Sequence, residues 1–172
     1  MDVDAVGYLA SALAGTSWWT QARVLTCALR FRTHSPSGLV IVGTPDFEPW
    51  HLVGHLDDAA RLRSDYTTRP VLVRWEVEPD AEGFFAVGLD RLESVDAGQT
   101  VLVVLPSAAP ERLLDLVASA RRRGVTVLAI DTGDRRLDAV CHTRMSVTYT
   151  PELMALVSQV KDLGWTRSLT HT

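Results

Sequence analysis

"TVLVVLPSAAPERLLDLVASARRRGVTVLAID", residues 100–131, carries the order of elements that decides the fold. An apolar run, Val101–Leu105, meets a Ser-Ala-Ala-Pro turn. A helical segment follows from Pro110 to Arg123, and a second apolar run spans Val125–Ile130. All-apolar runs of this length are the mark of strands covered on both faces. Strand, helix, strand is a crossover unit, and two strands joined that way lie parallel.

The same alternation extends outward. Upstream, "LVIVG", Leu39–Gly43, is another all-apolar run after the turn "THSPSG". The loop "TPDFEP" leads into Trp50–Arg63, where Leu52, Val53, Leu56, Ala59, Ala60 and Leu62 lie mostly on one helical side. Val71–Val77 is a further strand candidate, and its alternating tail places it nearer a sheet edge. Phe84–Leu89 fits either a short strand or a turn leading into a helix. Downstream, Leu137–Val140 reads as a short helix and "RMSVTYT", residues 144–150, as a fifth strand. Pro151 opens a final helix that runs to Leu163 and ends at Gly164.

Residues 3–32 keep a helical period through Val6, Leu9, Leu13, Leu25 and Leu29. Gly15-Thr16-Ser17 breaks the pattern into two helices, with Thr16 or Ser17 as the cap of the second. Trp18 and Trp19 are adjacent and cannot both enter one small core, which points one of them at a partner chain.

These elements predict an α/β fold: a three-layer α/β/α sandwich around a five-stranded parallel sheet. The expected organisation is one domain over 1–172, with N-terminal helices in 1–35, the sheet core in 38–150 and a C-terminal helix in 151–165. In such sheets ligands bind outside the carboxyl ends of the strands. That places Thr44–Glu48, Ser107–Pro110 and Asp131–Asp134 on one rim.

Composition narrows the function classes. Hydrophobic residues make up 47% and charged ones 22% of the 172, a globular balance. The net charge of -4 argues against nucleic acid as a partner, since phosphate binding needs a basic face. The basic cluster Arg121–Arg123 ends a predicted helix, where positive charge suits the dipole. Cys27 and Cys141 form neither a disulfide framework nor a metal spacing. The start MDVDAVGYLA lacks a basic signal region, and no apolar run reaches the 18 or so residues of a membrane span, so no membrane partner and a cytoplasmic location are expected.

The stretch "SVDAGQTVLVVLPSAAPERLLDLVASARRRGVTVLAIDTGDRRLDAVCHTRMSV" resembles the sugar isomerase (SIS) domain family. Gly98-Gln99 stands before the strand, Ser107 begins the loop, Pro110-Glu111 opens the helix, and Arg123-Gly124 with Val127–Ile130 follows. "GLVIVGTPDFEPWHLVGHLDDAARL" is similar to the family's first strand, ligand loop and helix. The resemblance implies a parallel sheet between helices, a homodimer built on the N-terminal helices, and a small anionic ligand such as a sugar phosphate. It implies ligand-binding roles for Thr44, Ser107, Glu111, Asp131 and Thr132.

The loops depart from the family pattern. The family's phosphate loop is Ser-x-Ser-Gly-x-Thr, while Ser107-Ala108-Ala109-Pro110 keeps one hydroxyl. In the first loop Pro45 supplies no N–H, and Asp46 and Glu48 repel a phosphate. The expectation is a catalytically silent phosphosugar-binding or regulatory dimer without cofactor. The alternative is a sugar-phosphate isomerase with Glu48, His51 and His55 as catalytic candidates. A flavodoxin-like or nucleotide-binding module outside the family is a third reading, because parallel sheets host many functions.

Other constellations are weaker. His51 and His55 share a helix face and could chelate zinc, but Gln159 in the last helix is no histidine and a site needs a third ligand. No metal is therefore expected. Glu76 and Glu78 would share one face of a strand, making Glu78 a base candidate. Asp131, Asp134 and Asp138 suit capping better than acid–base work. Cys141-His142 would point apart on an extended segment.

Overall fold

The computed structural model describes residues 16–82 and 86–147, apart from the side chain of Trp18. The expected helices at 3–14 and 151–163, with Gln159, lie outside the described residues. So do the last residues of the expected fifth strand, 148–150, and the start of the ambiguous segment at 84–85.

In chain order the elements are α1 (Ser17–Arg32), β1 (Leu39–Val42), α2 (Trp50–Leu62), β2 (Pro70–Val73), α3 (Asp90–Glu93), β3 (Thr100–Leu105), α4 (Glu111–Arg122), β4 (Thr126–Asp131), a 3-10 helix (Arg135–Ala139) and β5 (Thr143–Ser146). Thr16 caps α1, its hydroxyl accepting the Trp19 N–H at 3.1 Å.

The five strands form one sheet in the order β2-β1-β3-β4-β5, and every neighbouring pair is parallel. β1, β3 and β4 are buried along their whole length. Alternate residues serve two cores. Val101, Val103 and Leu105 pack with Leu113 and Val117 of α4 on one side. Leu102 and Val104 pack with Leu25 and Leu29 of α1 and with Leu52 and Val53 of α2 on the other. Each such side chain removed from water stabilises the fold by roughly 1.5–3 kcal/mol. This is the expected three-layer arrangement.

One sequence reading is corrected, an open one is decided, and a third is extended. β2 ends at Val73 rather than Val77. Beyond it the Arg74 N–H goes to Val87 O at 2.9 Å, and the Trp75 indole turns inward to the Gly43 carbonyl at 3.0 Å. Glu76 and Glu78 therefore stand exposed past the strand and share no strand face. The 86–89 segment contributes a bridge at Gly88 and leads into α3 rather than forming a strand. The arginines ending α4 stand at the helix end as expected and also bind backbone carbonyls. Arg123 clamps the carbonyls of Val95 at 2.9 Å and Leu92 at 2.7 Å, and Arg121 holds those of Ala139 and Cys141.

The chain adds β2 on one side of β1 and then crosses to place β3 on the other. The direction of winding reverses between β1 and β3, where a parallel sheet opens a crevice at its carboxyl ends. Val42 is in register with Val103, so the turns after Gly43 and Leu105 leave side by side.

Candidate functional site

The first turn closes on itself. Thr44 N–H donates to Phe47 O at 2.9 Å and Phe47 N–H returns to Thr44 O at 3.1 Å. The close approach demands glycine before it, because a Cβ on Gly43 would lie 2.0 Å from Phe47 O. Thr44 is buried, and its Oγ1 meets no hydrogen-bond partner among the described residues.

Glu48 is committed to its neighbours. Its carboxylate accepts Trp50 Nε1 at 2.7 Å and Arg74 Nε at 3.0 Å, and the Arg74 guanidinium sits 5.6 Å from the Trp50 ring centroid. His51 is exposed and His55 half-buried on α2. Among the described residues no group of three His, Cys, Asp or Glu side chains is placed to hold a metal.

The second turn is filled from within. Ala109 N–H donates to Asp134 Oδ2 at 2.8 Å, across the rim from the β4 side. Arg136 grips the same carboxylate at 2.7 Å and reaches the Ala109 carbonyl at 2.9 Å. The Arg136 guanidinium, with the Ala109 and Arg136 amides, holds the Asp134 carboxyl far below the usual carboxylate range against the opposing effect of its burial. An anion thus already occupies the turn that leads into α4, and it belongs to the chain.

The other expected ligand residues are dispersed around this strut. Ser107 is exposed at the turn. Thr132 is exposed, its hydroxyl 3.5 Å from Pro106 O. The Glu111 side chain is largely in solvent, 3.7 Å from Arg136 Nη1. Asp131 is 0% exposed. One of its oxygens accepts the amides of Gly133 at 3.0 Å and Asp134 at 2.7 Å, shaping the turn after β4. The other lies 3.4 Å from Arg144 Nε, an ion pair without hydrogen-bond geometry. Cys141 is no nucleophile: burial first, then Asp131, pushes its thiol up to about 12.

Sequence reasoning placed the three loops on one rim and named Asp134, but missed Arg74, Trp75 and Arg136 as the groups that tie the rim together. Residues 109 and 134 carry no local pattern announcing their contact. For Glu48 a signal existed, since Arg74 follows directly on the strand that pairs with β1.

No family model and no curated protein matches the chain. Among solved structures it is similar to a putative phosphosugar isomerase from Silicibacter pomeroyi DSS-3, at 20% identity and a TM-score of 0.53. That match covers 93% of this chain and 46% of the other, so the chain spans about half the length of its neighbour. With the sheet order and the paired turns, the likeness gives this chain an SIS-like α/β fold.

Proposed function

We propose that the chain is a non-catalytic SIS-like module that works as a regulatory or interaction domain, with its own acidic side chains closing the rim where a phosphosugar would sit. The observation that carries this reading is the Asp134 carboxylate on the Ala109 N–H. A phosphate seated there must displace that carboxylate or lie beside it. Arg136 already neutralises that carboxylate, so the turn offers a phosphate no free amide, and the one hydroxyl of Ser107 returns about 1–3 kcal/mol at most. Homodimerisation belongs to the same proposal. It is supported by the outward side of α1, where Val24 and Phe31 are 49% and 66% exposed.

A second reading, a sugar-phosphate isomerase or small-anion sensor, draws support from the solvent-shielded Thr44 hydroxyl at the β1–β3 crevice and from the neighbour described as a phosphosugar isomerase. In it Thr44, Ser107 and Thr132 hold the anion, Glu111 and Asp131 frame it, and Glu48, His51 and His55 supply proton transfer.

Thermal unfolding of the chain with millimolar hexose and pentose phosphates separates the two, because a ligand bound to the folded state raises the midpoint. Unshifted midpoints, together with a dimer in light scattering and no isomerase turnover, support the module. A saturable upward shift together with turnover establishes the enzyme.

A further inference from the structure

His142 sits where β5 begins, at the end of the sheet opposite the rim, and it makes an unusual pair of bonds. Its backbone N–H donates to Val127 O at 2.8 Å. The Val127 N–H donates in turn to the His142 ring nitrogen Nδ1 at 3.0 Å. The regular β4–β5 register starts one residue later, at Leu128 and Thr143. The imidazole therefore supplies the acceptor that a strand carbonyl would otherwise give, extending the ladder by one step.

This bond requires a free lone pair on Nδ1, and so a neutral ring with its proton on Nε2. A proton on Nδ1 turns the acceptor into a donor facing another donor. The surroundings sharpen the conflict. From α4, Arg121 holds the carbonyls of Ala139 and Cys141 just before His142. From α1, Arg32 and the Cys27 thiol line the same groove as the imidazole. β4 contributes Thr126, Val127 and Leu128, none of them ionisable, and Cys141 is the titratable chain neighbour. The groove measures about 380 Å³ and is walled by Val24 and Phe31 on one side and by Leu128 and Thr143 on the other.

We propose that His142 is an acid-operated latch: neutral, it fastens the start of β5 to β4; protonated, it releases the Val127 amide and places a new cation in the groove beside Arg32. Partial burial first, then Arg121, lowers the imidazole from its ordinary value. The sign follows. A depressed folded-state value means that the stabilisation is fully present above the ordinary histidine range and is lost as pH falls through the lower value. The latch changes the fastening of an edge strand and the charge of the adjoining groove in one step.

Amide hydrogen exchange on the whole chain between pH 7.5 and 5, corrected for intrinsic rates, tests this, with His142 ring titration followed in the same samples. The expected result is that Val127 protection falls by up to about tenfold per pH unit between the ordinary histidine value and the ring's lower folded value and levels off below it, while Leu102 in β3 keeps its protection. In His142→Asn the side-chain oxygen accepts at every pH, so Val127 stays protected and the pH dependence disappears. In His142→Ala protection is low throughout. Val127 protection that does not change as the wild-type ring titrates overturns the proposal. So does a His142→Asn chain with the same pH profile as wild type, and neither result depends on the alanine variant folding.

Discussion

Asp134 reaches across the rim and accepts the Ala109 N–H at 2.8 Å, joining the turn after β4 to the turn after β3. The contact ties two crossover units together at the carboxyl ends of the strands, where parallel sheets open their crevice. It sets the terms of the first two predictions.

Asp134→Ala removes a hydrogen-bonded carboxylate and leaves the Ala109 amide without its acceptor. The expected loss of stability is about 1–3 kcal/mol in denaturant unfolding. Because the folded-state value of Asp134 is lowered, its contribution is full above the ordinary carboxylate range and is lost as pH falls through the lower value. The gap between wild type and Asp134→Asn therefore narrows in acid. A double-mutant cycle with Arg136→Ala should show coupling between the two side chains.

Ser107 is exposed at the turn. Ser107→Ala is expected to leave the unfolding midpoint within the error of calorimetry, a change below about 0.5 kcal/mol. Any residual binding of inorganic phosphate at the rim should vanish with it, as read by titration calorimetry. Unchanged binding removes Ser107 from the site.

Gly43→Ala puts a methyl group 2.0 Å from the Phe47 carbonyl. Backbone atoms on both sides of a closed turn have little room to yield, so a loss of about 2–4 kcal/mol is expected in denaturant unfolding. Gly54→Ala is the control. A Cβ there meets nothing within 4 Å, and the change should be neutral or slightly stabilising.

Arg123→Ala and Arg122→Ala separate clamp from solvated charge. Arg123 holds two backbone carbonyls and the Ser119 hydroxyl, whereas Arg122 is exposed. The first is expected to cost about 1–3 kcal/mol and the second under about 0.5 kcal/mol. Equal losses would show that the carbonyl contacts add nothing beyond helix-end charge.

Much of this fold was legible because burial between two helical layers writes itself into composition. LVIV and TVLVVL are apolar at every position because both faces of those strands are covered. The helices over 50–62 and 111–122 announced themselves by period and by their flanking prolines. The end of β2 was not legible. Val71–Val77 alternates like a strand, yet Trp75 is drawn off by the Gly43 carbonyl just past β1, a tertiary contact that no local pattern encodes. The same holds for the rim. The loss of the glycine and hydroxyls around Ser107 was plain from the residues. That Asp134 reaches the Ala109 N–H depends on a β4 turn folding back, and that turn exists because Asp131 collects the amides of Gly133 and Asp134.

The winding order also bears on synthesis. β1 lies between β2 and β3, but β2 is made first. Until Thr100–Leu105 leaves the ribosome, the Leu39–Val42 strand has one side paired and the other bare, a four-residue apolar edge open to any passing strand. A nascent chain stalled before Thr100 should therefore be the species that chaperones hold and that clumps in their absence.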